Sequence, residues 1–344
     1  MGLLLFGLGS LWLALYPPLT PDLGGVEDLD RHGTHVRIAV AQNDSIDGWW
    51  LPGRQHAVIL LLHGHGTDHR RMWRYGEPLW RAGYAVVMAD FRSARELDRK
   101  PTTLGRYELE DARAILDWVR EQPRWKAAPV GVFGEALGGT VALRLAAERP
   151  EVRAVMTDAA FAHSLAAIED WAAGALHLPG WLAAPPARAA AWLVTGVDPG
   201  AIDVVPAART LANRPLYLVH ELDDVIVSPE QTRELWHAAG AHDPLWMVPR
   251  AGHAAAWTQQ RALYEERMRW FFDAALLGAG PGLGSGELPA TGVAMSAVAA
   301  NPVPASRSSS ARSMRDGEIR ISVDEVLRDS ARDPVHGPLG TGHR

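Results

Sequence analysis

Residues 130–143 read Val-Gly-Val-Phe-Gly-Glu-Ala-Leu-Gly-Gly-Thr-Val-Ala-Leu. An apolar β-run ends in Gly134-Glu135-Ala136-Leu137-Gly138 and passes into a helical pattern. This is the frame of the G-x-S-x-G strand-to-helix turn, which holds a nucleophilic hydroxyl out on a strained backbone. Such a turn needs glycine two residues either side of its centre, because the chain is packed closely there. Gly134 and Gly138 stand at those places. A serine at the centre would attack a carbonyl and form an acyl-enzyme. The centre here is Ala136, which offers neither an oxygen to attack with nor a proton to give up. Thr140 lies one helical turn further on, so its hydroxyl points into the helix or the core. His63, His65 and His69 raise a metal reading, but their spacing is not that of a known zinc site. The sequence therefore calls for no metal and no cofactor.

A turn of this kind must be carried by a sheet. Val36–Ala41 and Ser45–Leu51 read as a short antiparallel entry around Asn43-Asp44. Ala57–Leu62 is a continuous Val/Ile/Leu run, as in a strand buried on both faces. Ala85–Asp90, Val130–Gly134, Val152–Asp158, Leu216–His220 and Leu245–Val248 follow the same pattern. Helical patterns lie between them: Asp68–Arg81, Leu104–Arg120, Leu137–Ala147, Pro229–Ala239 and Trp257–Leu276. Repeated strand–helix units predict an α/β fold with a mostly parallel eight-stranded sheet and helices on both faces. Residues 161–213 break the rhythm with Trp-, Ala- and Pro-rich helical pieces. They read as an insertion after the sixth strand, a lid. Trp171, Trp181 and Trp192 within it suit a small apolar ligand beneath.

The 344 residues suffice for one large core plus appendages. With 47% hydrophobic and 22% charged residues the composition is that of a globular chain. A net charge of −6 without a basic stripe excludes a nucleic-acid partner. There are no cysteines, which excludes disulfides, a thiol nucleophile and Cys-ligated zinc. Residues 1–21 carry no charged side chain, and Pro17-Pro18 ends any helix there. A helix over the first sixteen residues reaches roughly 24 Å against a hydrocarbon core of roughly 30 Å. Extended residues 17–19, with Trp12 and Tyr16 at the interface, make up the difference. A membrane anchor is the preferred reading over a cleaved signal or a core helix, because a basic n-region is lacking. An extracytoplasmic, periplasmic face is favoured for the domain at 22–277. From 278 to 344 Gly, Pro, Ala and Ser dominate, a low-complexity tail that serves as a tether or docks on a protein partner.

Over residues 34–275 the chain resembles the α/β-hydrolase fold family, in particular its membrane-anchored or exported bacterial esterase- and peptidase-like members. Four landmarks in the family's order carry the resemblance: His63-Gly64-His65-Gly66, the Ala136 turn, His220-Glu221-Leu222-Asp223-Asp224, and Ala251-Gly252-His253-Ala254. The resemblance implies an oxyanion hole from the backbone N–H groups of His65 and Leu137. It implies Asp224 as the acid, with Asp223 and then Asp158 as competitors, and His253 as the general base. Glu135 is common beside the family's nucleophile and does not replace it. Two positions depart from the family pattern. Glu221 stands where a glycine is usual, which bears on the local turn. Residues 93–97 replace a Gly-rich turn after Arg92.

Three readings follow. The first is an inactive, membrane-tethered hydrolase-like protein, a pseudoenzyme kept as a binding or structural subunit of a larger complex. The second is a serine esterase or peptidase whose nucleophile has been replaced by Ala136. In the third, His253 and Asp224 activate water directly against a bound ester.

Overall fold

The computed structural model describes residues 15–19, 26–41, 44–95, 99–242 and 244–278. Eight strands form one sheet: β1 Thr34–Val40, β2 Asp44–Leu51, β3 Val58–Leu62, β4 Ala85–Ala89, β5 Val130–Glu135, β6 Val152–Asp158, β7 Leu216–Glu221 and β8 Leu245–Val248. Their order is β1-β2-β4-β3-β5-β6-β7-β8. β2 runs antiparallel to both β1 and β4, and every other pairing is parallel. This is the expected architecture, with ends that differ from the sequence reading by a residue or two.

The period-2 geometry of a strand sends neighbouring side chains to opposite faces. In β3 Val58, Leu60 and Leu62 join one apolar cluster, and Ile59 and Leu61 join the other. All five are buried, which is why the run is apolar without alternation. On the first face pack α3 (Tyr107–Glu121), through Leu109, Ile115 and Leu116, and α4 (Leu137–Glu148), through Val141 and Leu145. On the second pack α2 (His69–Arg81), through Met72, Tyr75 and Leu79, and α10 (Arg261–Phe272), through Tyr264, Met268 and Phe272. A short α1 (Val26–His32) precedes the sheet, and α8 (Pro229–Ala238) and α9 (Ala256–Gln259) complete it. The one long helix expected over 257–276 is therefore divided: α9 stops at Gln259, α10 restarts at Arg261, and Gln260 between them is not helical, with φ −134° and ψ 45°.

The insertion between β6 and β7 carries α5 (Ser164–Leu176), α6 (Gly180–Thr195) and α7 (Val205–Thr210). α5 passes so close to the loop after β7 that a β-carbon at Gly174 would stand 1.6 Å from the Val225 carbonyl oxygen. The expected apolar N-terminal helix lies outside the described residues except for Leu15–Leu19, and the tail beyond 278 lies outside them entirely. Among the described residues no helix is long and apolar enough to cross a membrane.

The strand-to-helix turn is packed as its glycines require. A β-carbon at Gly134 would stand 2.2 Å from the Gly138 carbonyl oxygen, and one at Gly138 2.1 Å from that of Leu62. Both obstacles are backbone, so β5, α4 or β3 would have to move. Gly138→Ala is expected to destabilise the fold by about 3 kcal/mol or more, read as a lowered thermal midpoint. An unchanged midpoint would contradict this packing.

Candidate active site

Ala136 sits at the apex of the β5–α4 turn with φ 48° and ψ −111°. A residue with a β-carbon is disfavoured there and stays only where its surroundings hold it. Its N–H donates to the Asp158 carbonyl (2.7 Å), and its own carbonyl accepts from the Thr140 N–H (3.1 Å). The side chain is 5% exposed. The following residue, Leu137, opens α4, so its N–H has no intrahelical acceptor and lies at the positive end of the helix. Thr140 turns its hydroxyl away, donating to the Phe161 carbonyl at 2.9 Å. Glu135 is also turned away. Arg71 Nε donates to its Oε1 (2.5 Å) and the Tyr75 hydroxyl to its Oε2 (2.9 Å).

The acid and the histidine come together from loops after β7 and β8. His253 Nδ1 lies 2.7 Å from Asp224 Oδ2. The other oxygen of Asp224 accepts from the N–H groups of Ile226 (2.8 Å) and Val227 (3.0 Å). Buried His220 adds a second ring nitrogen, Nε2, 3.2 Å from Asp224 Oδ2. Burial alone would push the Asp224 carboxyl up, but the hydrogen bonds from His220 and His253 hold it well below the ordinary carboxylate range. Burial would likewise lower His253, yet the hydrogen bond and charge of Asp224 raise it above its ordinary value. The pair thus favours ionised Asp224 and an imidazole that takes up a proton readily.

Three acids of one short run hold the histidine loop. Asp223 Oδ1 accepts from the N–H groups of Ala251 (3.0 Å) and Gly252 (3.2 Å). Asp224 takes the His253 ring. Glu221 Oε1 accepts from the N–H groups of Ala255 (3.0 Å) and Ala256 (2.9 Å), the start of α9. Glu221, a departure that puts the turn in question at the level of sequence, is therefore a support of that loop. Arg71 joins loop to elbow: beside its bond to Glu135, its Nη2 donates to the Ala254 carbonyl at 3.3 Å. The loop needs such support, since Arg250, Gly252 and Ala254 all have positive φ. Glu221→Ala leaves two N–H groups without acceptors, at about 1–3 kcal/mol each. It is expected to lower the thermal midpoint by several degrees, whereas Glu221→Gln keeps an acceptor oxygen and loses less. Equal losses would mean that the carboxyl serves some other contact.

Asp158 takes no part in this pair. It is fully buried, with Oδ2 accepting from the Tyr264 hydroxyl at 2.8 Å. Burial and the charges of Glu221 and Glu135 push its carboxyl well above the ordinary carboxylate range.

The three histidines after β3 do not converge. The Phe91 N–H donates to His63 Nε2 (2.9 Å), which leaves the proton on Nδ1 to donate to the Gly64 carbonyl (2.8 Å). His69 Nε2 accepts from Trp49 Nε1 (3.1 Å), and its Nδ1 donates to Asp90 (2.9 Å). His65 is exposed. His220, Glu221 and Asp224 do bring ligand-type atoms within 4.8 Å of one another, but the His220 ring nitrogens lie against Thr232 Oγ1 (2.7 Å) and the Val227 carbonyl (3.0 Å), and Asp224 holds the His253 ring. Gly64 is seated against the elbow, since a β-carbon there would stand 3.6 Å from that of Ala136. The turn carrying His65 and the turn carrying Leu137 are thus neighbours. The described part of the stretch after Arg92 is a single 3₁₀ turn, Arg92–Ala94. Buried Arg92 anchors it, donating from its backbone N–H (2.9 Å) and from Nε (2.8 Å) to Asp111.

Asp224, His253, Ala136, His65 and Leu137 are the expected set. Sequence reasoning misses Arg71, Tyr75 and His220 as supports. The first two lie in α2 with no motif around them. His220 stands in the landmark that ends at Asp224, but the sequence does not show that its ring turns back onto that carboxylate. A groove of about 600 Å³ lies elsewhere, on the insertion, lined by Leu165, Trp181, Arg188, Trp192 and their neighbours.

The sequence profile of the X-Pro dipeptidyl-peptidase (S15 family) matches residues 41–271. An uncharacterized protein of Mycobacterium tuberculosis is 26% identical over 226 residues, 64% of this chain and 72% of that one. An esterase of Pyrococcus furiosus superposes with a TM-score of 0.63 at 22% identity, over 76% of this chain and 98% of that one. An acylaminoacyl peptidase of Pyrococcus horikoshii superposes with a TM-score of 0.55 at 17% identity, over 76% of this chain and 45% of that one. The order of the eight strands, the strand-to-helix turn and a profile match over well over half the chain agree: the chain belongs to the X-Pro dipeptidyl-peptidase (S15) family and has an α/β-hydrolase fold.

Proposed function

We propose that this chain carries an esterase- or peptidase-type hydrolase site in which Ala136 occupies the place of the nucleophile. The His253–Asp224 pair, at 2.7 Å and braced by Asp223 and Glu221, carries this reading. With a hydroxyl at position 136, His253 Nε2 takes its proton while Asp224 holds the Nδ1 proton and steadies the imidazolium. The N–H groups of His65 and Leu137 receive the oxyanion, where preorganised donors do most. With the methyl group of Ala136 there is no proton to take, so the chain as it stands holds an acyl compound without forming an acyl-enzyme. The family match and the esterase and peptidase among its structural relatives favour this reading over an inactive pseudoenzyme kept as a binding or structural subunit.

The insertion 161–213 is the lid in this reading, with an apolar ligand beneath it that does not depend on Trp181 and Trp192, which are 74% and 58% exposed. The uncharged residues 1–21 tether the domain to a membrane, on its extracytoplasmic side. The tail 278–344 is a docking segment for a protein partner, a role that rests on its composition alone. The test of the site is Ala136→Ser assayed on p-nitrophenyl esters. Turnover that His253→Ala removes supports the proposal, and a folded variant with no turnover overturns it.

A further inference from the structure

Among the described residues, the exposed large apolar side chains are not scattered. All but Leu277 lie on α6 or on the loop around Asp224. Trp181 is 74% exposed, Leu193 75% and Val225 63%, with Leu182 and Trp192 beside them. Ala184 and Ala191, seven residues apart, form the buried face of α6, so Leu182 and Leu193 stand opposite it on the outer face, while Trp181 and Trp192 lie on its flank, where they also line the groove with Leu165 and Glu169. Arg188 is the only charged residue of α6, and its guanidinium pairs with both oxygens of Asp198, at 2.7 and 2.6 Å. That outer face therefore offers water apolar surface and no uncompensated charge. Apolar surface exposed in this concentration marks a contact with a partner or a membrane.

The course of the chain selects between these. Leu15–Leu19 lie against the same rim. The Leu15 carbonyl accepts from the Thr102 N–H (2.9 Å) and that of Pro17 from Arg99 Nη1 (2.6 Å). A β-carbon at Gly66, in the turn beside the elbow, would stand 3.3 Å from Pro17. The stretch from Thr102 onward then meets the insertion: Ser164 Oγ donates to the Leu104 carbonyl (2.8 Å) and the Tyr107 hydroxyl to the Thr195 carbonyl (3.3 Å). Thr195 ends α6. Fourteen residues without a single charge precede Leu15. On the tether reading proposed above, a bilayer holding that segment is met from the side of Leu15–Leu19, to which the contacts through Thr102 and Tyr107 link Thr195 at the end of α6.

We infer that the outer face of α6, together with Leu222 and Val225, is a lipid-bilayer contact surface, so that the rim of the Ala136–His253 site faces the membrane. Trp181 and Trp192 are eleven positions apart, about 16 Å along the helix. They suit two anchors at the headgroup level of one leaflet. The contact is apolar rather than basic, so it does not depend on anionic lipid or low salt. The inference is independent of whether the site hydrolyses anything.

The absence of cysteine gives a clean test. The full-length chain is made with Leu193→Cys, or with Lys126→Cys at an exposed position shortly before β5. Each carries one nitroxide and is added to phosphatidylcholine vesicles. At position 193 the collision rate with oxygen, relative to a water-soluble nickel chelate, is expected to rise severalfold, and at 126 to stay unchanged. Three outcomes overturn the inference. A label at 193 that stays accessible to the chelate on vesicle-bound protein leaves a tether without this contact. Dipolar broadening between labels at 193 means that a second copy covers the face. A chain that stays off the vesicles means that neither surface meets lipid. Trp181→Ser with Trp192→Ser provides a second readout. Both side chains are exposed, so the fold is expected to be kept while the change at 193 is lost.

Discussion

Ala136→Ser is expected to turn this chain into a working hydrolase, with turnover of activated esters rising by up to about 10⁶-fold over the chain as it stands. That is the size of the loss when the nucleophile of such a triad is removed. Here the change runs in the opposite direction, and little else has to be made. The backbone at 136 already has φ 48° and ψ −111°, the strained geometry that presents a nucleophile. Gly134 and Gly138 already accept the close approach of α4 and β3. His253 is already oriented by Asp224 at 2.7 Å. One added oxygen is a small change at a residue whose backbone is tied to Asp158 and Thr140, so the thermal midpoint is expected to move little. Steady-state kinetics on p-nitrophenyl esters give the readout. A midpoint preserved beside undetectable turnover would mean that the oxyanion donors or the histidine are out of register.

In the Ala136→Ser background, Asp224→Asn is expected to lower kcat by about 10⁴-fold. An amide accepts and donates where the carboxylate only accepts, so it stabilises neither the right tautomer nor the imidazolium. The pH profile carries independent information. His253 must be neutral to act as base, and Asp224 raises its pKa above the ordinary 6.5. Activity therefore falls as pH drops through that raised value. Removing the charge of Asp224 moves this limb to lower pH even as the plateau falls. A limb that does not move would show that Asp224 is not the electrostatic partner of His253. Stability responds differently. The lowered pKa of Asp224 contributes stability above its ordinary 3.8, which is lost as pH falls through the lowered value. The raised pKa of His253 contributes stability below 6.5, which is lost as pH rises through the raised value. The pair therefore stabilises the fold most between pH 3.8 and 6.5, on the acid side of the activity maximum.

Much of this was legible in the sequence because parallel strands announce themselves. Val58–Leu62 is apolar throughout since both of its faces are covered, and β6 and β8 keep the bounds that their patterns suggest. Ala136, Asp224 and His253 were legible because each sits in a short motif whose backbone the fold constrains. The supports were not. Arg71 reaches the elbow and the histidine loop from α2, 64 residues from Glu135 and 183 from Ala254, and nothing local marks it. Glu221 looks like a loss when set beside an expected glycine. Only the folded chain shows two backbone N–H groups arriving at its carboxylate. The exposed face of α6 was hidden for a related reason: an Ala- and Trp-rich helix has the same composition whether its tryptophans point in or out.

The central claim is that a hydrolase site is built around position 136 and lacks only an oxygen. The most direct measurement is fluorophosphonate labelling of the folded Ala136→Ser protein, with the adduct located by peptide mass. The account predicts stoichiometric modification at position 136, abolished by His253→Ala and absent from the chain with Ala136. A folded Ala136→Ser protein that takes up no label, or takes it up elsewhere, would contradict the account.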